Sequence, residues 1–238
     1  MSGHSKWHSI KHQKAAADVK KGAVFTRMAR NITIVAKQGG GDPETNFKLR
    51  IAIDQARAAN VPKDNIERAI KRGTGEGGEA QLQEMIYEGY GPQGVAIIIK
   101  VITDNTNRTV SELRHILSKH DGSLGESGSV MWNFGLKGVI KIENSTFDKE
   151  ALETVAIEAD ADDISEEEGG ITIKTEPKNL QRLKQEIEKI GIKIDFADIE
   201  YIPKNKVDLD EAGKKKLNSL IENLEGLEDV NDFFTNER

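Results

Sequence analysis

Apolar residues recur at helical spacing through the first third of the chain and change to a strand rhythm after residue 80. Between Gly22 and Gln38, Val24, Met28, Ile32 and Val35 share one face, while Arg27, Arg30 and Lys37 fall on the other. That spacing predicts an amphipathic helix with a basic back. Gly39 to Gly41 stop it, and Pro43 opens a second helix whose stripe is Leu49, Ala52, Ile53 and Ala56. Pro62 stands near the start of a third, which turns Ile66, Ala69 and Ile70 inward and ends at Gly73. Residues 22–75 therefore predict a three-helix domain.

The stretch from Gly73 to Ala80 is rich in glycine and has no apolar pattern. It predicts a flexible linker that would let the helical domain reorient on a partner. Beyond it, Met85 to Tyr90 and Val95 to Ile102 predict a hairpin turned by Gly91, Pro92 and Gly94, the second strand being a continuous β-branched run. Thr109 with Glu112 predicts a capping box for a helix carrying Val110, Leu113, Ile116 and Leu117 and closed by Gly122. Val130 to Phe134 predicts a returning strand. The helix and strand that would complete this domain come much later, near Asp210 to Glu225 and Val230 to Thr235.

Between them the pattern predicts a strand at Val139 to Glu143, a helix at Glu150 to Ala161, strands at Asp163 to Ser165 and Ile171 to Lys174, a helix at Asn179 to Ile190 and a strand at Phe196 to Ile202. The order β-α-β-β-α-β is ferredoxin-like. The expected fold class is thus α+β: a helical amino-terminal domain plus two α/β domains, the third (136–203) inserted in a discontinuous second (81–135 and 204–238).

Charge sharpens this division. Residues 1–80 hold nine Lys and six Arg against eight Asp and Glu, a net of +7; the whole chain is −6, so the remainder carries −13. A positive segment on an acidic protein attracts polyanions while the rest repels them. Residues 1–21 read as a basic mobile arm, because Lys6, Lys11, Lys14, Lys20 and Lys21 alternate with His4, His8 and His12 and little there is apolar. With Arg27 and Arg30 these lysines form a constellation suited to neutralising a phosphate backbone and releasing its counterions. Trp7 among them can stack on an unpaired base or anchor the arm. The expected nucleic-acid-binding set is Lys6, Trp7, His8, Lys11, Lys14, Lys20, Lys21, Arg27 and Arg30.

Other chemistry finds little support. The chain has no cysteine, which removes disulfides, thiolate metal sites and a cysteine nucleophile and fits a reducing, cytoplasmic setting. No apolar stretch reaches the roughly 20 residues of a membrane span, and the start lacks the apolar core of a signal peptide. His4, His8 and His12 would share a helical face, but the lysines around them oppose a cation, so no metal is expected. Gly73, Gly75 and Gly78 match a dinucleotide fingerprint but follow a helix, where that motif fails. The acidic run Asp160, Asp162, Asp163 and Glu166 to Glu168 lacks a calcium-loop pattern and reads as a solvated turn. In Thr103 to Thr109, Asn105 and Arg108 can contact phosphate or cap the next helix, and capping fits better. No Ser, His and acid grouping stands out, so neither enzyme nor cofactor is expected.

The segments GHSKW, IKHQKAAADVKKGAVFTRMARNI, DNIERAIKRGTG, YEGYGPQGVAIIIKVITDNTNRT and SELRHILSKHDGSLGESGSVMW resemble the YebC/PmpR family. The resemblance is motif-rich between Gly3 and Trp132 and rests mainly on element order after residue 135. It implies three domains with the third inserted in the second. It also implies a non-enzymatic regulator: a cytoplasmic DNA-binding transcriptional regulator, as family members are described, or a ribosome-associated translation factor contacting ribosomal RNA, as its mitochondrial relatives are translational activators. The expected partner is accordingly double-stranded DNA or ribosomal RNA, with no membrane and a monomer as default.

Overall fold

The computed structural model describes residues 19–76, 81–143, 147–167 and 170–238. In chain order the elements are α1 (Val19–Gly39), α2 (Phe47–Ala58), α3 (Lys63–Gly73), β1 (Gln83–Tyr90), β2 (Ala96–Thr103), α4 (Thr106–Lys119) and β3 (Ser123–Leu124). They continue with β4 (Phe134–Glu143), α5 (Lys149–Glu158), β5 (Ala161–Glu167), β6 (Gly170–Thr175), α6 (Leu180–Lys189), β7 (Phe196–Pro203), α7 (Glu211–Gly226) and β8 (Val230–Thr235). The chain divides into a compact unit of Phe134–Lys204 and a second made of the residues on either side.

In the second unit, α1, α2 and α3 close around Met28, Ile32, Leu49, Ala52, Ile53, Ala56 and Ile66, as their spacing predicts. Two boundaries differ. The backbone of Lys20 and Lys21, assigned to the arm, already belongs to α1. The second helix starts at Phe47 and not at Pro43, because Asn46 is its cap: the Asn46 Oδ1 accepts from the Leu49 N–H at 3.1 Å. The same side chain donates to the carbonyls of Val35 (3.0 Å) and Gly40 (2.8 Å), tying α2 to the end of α1.

The first sheet has the order β3-β1-β2-β8, every neighbour antiparallel. Helices α4 and α7 supply Leu113, Leu117, Leu217, Leu220, Ile221 and Leu224 to a core with Ile97, Ile99, Val101 and Phe233. Two sequence readings are corrected here. Residues 130–133 form no strand; Met131–Asn133 is a 3-10 turn, and the edge strand is Ser123–Leu124. The cause is Glu88, whose carboxylate accepts the backbone N–H groups of Gly128 (2.6 Å), Val130 (2.8 Å) and Met131 (2.7 Å) and so takes donors a strand would need. Helix α4 begins at Thr106 under Asn105, and the supposed capping residue Thr109 is buried inside it.

The unit Phe134–Lys204 has the order β5-β6-β4-β7, all antiparallel. With α5 and α6 as crossovers this is the ferredoxin-like arrangement. Ile140, Ile142, Leu152, Ile173, Leu183 and Ile187 are almost wholly buried in it.

Candidate nucleic-acid interface

Lys6, Trp7, His8, Lys11 and Lys14, like His4 and His12, lie outside the described residues. Lys20 and Lys21 stand at the start of α1. Arg27 and Arg30, further along the same helix, are turned inward, and for them the phosphate-contact reading is corrected.

Arg27 is buried, with its Nη2 donating to the Glu225 carbonyl at 2.5 Å. Burial lowers its pKa, partly opposed by the charges of Glu225 and Asp232. Arg30 donates to Asp229 Oδ1 at 2.6 Å and to the Glu228 carbonyl at 2.9 Å. Gln38, two turns on, donates to Glu84 at 3.1 Å. The basic back of α1 is therefore a docking face for the α7–β8 corner: Arg27 is buried against it, out of reach of a phosphate backbone, and the charge of Arg30 is largely neutralised by Asp229.

Asp229 is the hub of this contact. Its side chain is only 3% exposed and receives Arg30 from the helical domain and Arg108 from α4 (2.8 Å). Its Oδ2 also accepts from Thr103 (3.0 Å) and Thr109 (2.7 Å). Burial pushes this carboxyl up, but hydrogen bonds from Arg108, Thr109 and Thr103 and the Arg108 charge outweigh it, leaving it below the usual aspartate range. Asn105 Oδ1 accepts from the Arg108 N–H at 3.1 Å, so the Thr103 to Thr109 motif caps a helix and aims an arginine at Asp229. Sequence reading missed Asp229. The available signal was an acidic residue directly before Val230 to Thr235, a run that is otherwise apolar and polar-uncharged but for Asp232.

Glu88 is another buried carboxylate held below its ordinary range; burial raises it, and the three backbone N–H bonds from Gly128, Val130 and Met131 more than offset that. It fixes the segment between β3 and β4. Exposed Trp132 and Tyr90 both donate to the Ser129 carbonyl in this segment, at 3.0 and 2.9 Å.

Outward positive charge remains on the helical domain at Lys48, Arg68, Lys71 and Arg72, all exposed. The acidic run of the other unit is spent on ion pairs: Asp162 with Lys137, Asp163 with Lys174, Glu166 with Lys149 and Asp160 with Arg182. No group of three metal-ligating side chains occurs among the described residues, and no described helix is long and apolar enough to cross a membrane.

A family model described as the TACO1/YebC protein N-terminal domain matches residues 5–76, and one described as the TACO1/YebC second and third domain matches residues 82–237. A probable transcriptional regulatory protein of Caldanaerobacter subterraneus subsp. tengcongensis is 51% identical over 237 residues, covering 99% of this chain and 98% of that one. Another with that description, from Thermotoga maritima, is 48% identical over 99% of this chain and 93% of its own. The crystal structure of a conserved hypothetical protein from Aquifex aeolicus superposes with a TM-score of 0.85 at 42% identity, covering 94% of this chain and 93% of that one.

Proposed function

Because this chain belongs to the TACO1/YebC family, we propose that it is a regulator acting by binding nucleic acid, with its basic amino-terminal stretch and helical domain as the contact surface. The observation that carries this reading is the charge split, +7 over residues 1–80 against −13 over the rest. With Arg27 and Arg30 engaged at the acidic corner, the phosphate contacts in this reading are left to Lys6, Lys11, Lys14, Lys20 and Lys21, with Trp7 and His8 among them. The names of the relatives favour transcription and double-stranded DNA as target. A ribosome-associated role on RNA is the second reading, favoured by a cleft described below.

Replacing the five lysines by Gln tests the surface. Binding to a polyanionic probe should weaken and its dependence on salt should flatten by nearly one unit of log–log slope per lost phosphate contact. Unchanged affinity sinks the assignment. A competition at physiological salt between purified ribosomes and promoter DNA, at matched phosphate concentration, separates the two targets.

A further inference from the structure

Helices α1 and α3 leave between them a cleft of about 380 Å³. Phe25, Ala29, Ala69 and Leu82 give it an apolar side, and Arg30, Arg68 and Arg72 a charged one. Its walls are fixed. Thr33 Oγ1 donates across the two helices to the Ala69 carbonyl at 3.1 Å. Gly73 approaches α1 so closely that a Cβ there would stand 2.4 Å from the Thr33 carbonyl.

The three arginines differ in what neutralises them. Arg30 is paired with Asp229 and Glu228. Arg68 is steered by the Asp64 carbonyl at 3.2 Å and by the Asn65 side-chain oxygen, neither of which cancels its charge. The side chain of Arg72, one turn further on, makes neither hydrogen bond nor ion pair with a described residue. Two exposed guanidiniums thus stand one helical turn apart at the mouth of a rigid, partly apolar recess.

We propose that this cleft receives one unpaired nucleotide of a nucleic-acid strand, the base against Phe25 and the aliphatic floor and the adjoining phosphates on Arg68 and Arg72. The inference rests on the nucleic-acid reading above and narrows it. The volume lies near the lower end of small-ligand pockets, roughly 300 Å³, which suits a single nucleotide. A duplex turns its phosphates outward on a convex surface and offers no base face to an apolar floor. An unpaired base offers a flat apolar face beside its charge, the combination this recess complements.

The test measures binding of the full chain, and of its Arg68→Gln/Arg72→Gln variant, to a labelled single-stranded RNA of about 12 nucleotides and to a duplex DNA of the same length, a size within the range of single-strand sites. Both arginines are exposed, so the variant should keep the parent's melting temperature. Affinity for the single strand should fall about tenfold or more, the size of one lost base or phosphate contact, while duplex affinity changes less than about twofold. Equal losses on both probes would make the arginines general phosphate contacts and overturn the proposal. No loss on either, with the parent binding normally, overturns it and leaves the nucleic-acid reading standing. A parent that binds neither probe removes the nucleic-acid reading itself. Uridine monophosphate competing as tightly as the strand would assign the cleft to a free nucleotide and also overturn the proposal.

Discussion

The two four-stranded sheets of this protein bury themselves in different ways. In the sheet of β4 to β7, strands β4 and β7 mix buried and part-exposed positions, with Leu136 44% exposed and Lys137 and Lys174 pairing with carboxylates at the surface. In the sheet of β1, β2, β3 and β8, every residue of β8 is buried, and β2 breaks its burial only at Lys100. Ile97, Ile99 and Val101 face the core under α4 and α7. Ile98, Ile102 and Phe234, on alternate positions, are equally buried, and α1 packs on these strands. A strand covered on both faces loses the polar half of its pattern. The continuous apolar run of β2 therefore announced a second cover, which the helical domain provides.

Breaking the polar clamp that holds this cover should have the largest effect. Asp229→Asn leaves Arg30 and Arg108 facing a neutral group in a nearly dry site and should cost about 3 kcal/mol of unfolding free energy, the low end for a buried pair because both arginines reach solvent. Denaturant unfolding measures it; a loss under about 1 kcal/mol would reduce the clamp to a surface ion pair.

The apolar half of the cover is tested by Ile98→Ala against Leu136→Ala. The first should cost about 2 to 4 kcal/mol, as for a filled core position, and the second within about 0.5 kcal/mol, as for a surface one. Equal costs would mean that the two sheets are covered alike.

The smallest effect is the dependence on pH. Asp229 and Glu88 are both held below their ordinary carboxylate range. Their contribution to stability is therefore complete above about pH 4 to 5 and drains away as pH falls through their folded values. The gap in melting temperature between the parent and Asp229→Asn should be constant from about pH 5 to 8 and shrink below about pH 4. A gap that widens on acidification would contradict the assigned direction.

Helices and strands were legible wherever one period dominated: α7 and β8 lie within a residue of their predicted bounds. The ferredoxin-like order of β4, α5, β5, β6, α6 and β7 was legible too, because its alternating strands and striped helices each carry one clear rhythm. Side-chain capture of backbone groups was not. Asn46 shifted a helix start past Pro43, and Glu88 turned Val130 to Asn133 away from strand geometry, through contacts that periodicity does not encode.

The candidate interface divided along similar lines. Segregated charge placed the positive region in the first third of the chain, but a cation on a helix back carries no label for its partner. Arg27 and Arg68 look alike in sequence, yet one meets a carbonyl nearly 200 residues away and the other stays at the surface. The glycine-rich linker read as free reorientation lies partly outside the described residues, at 77–80, while Arg27 and Arg30 bond the helical domain to the α7–β8 corner and Gln38 bonds it to Glu84 of β1.

The position of Asp229 also orders biosynthesis. The three helices around Ile32 and Leu49 use only local contacts and can form as soon as residue 76 has left the ribosome. The surface on which α1 rests needs β8 beside β2, and so exists only after translation has passed Thr235. Until then Arg27, Arg30, Ile98 and Ile102 are without their final partners, and a nascent chain halted inside the inserted unit would display a half-covered apolar sheet to chaperones and proteases.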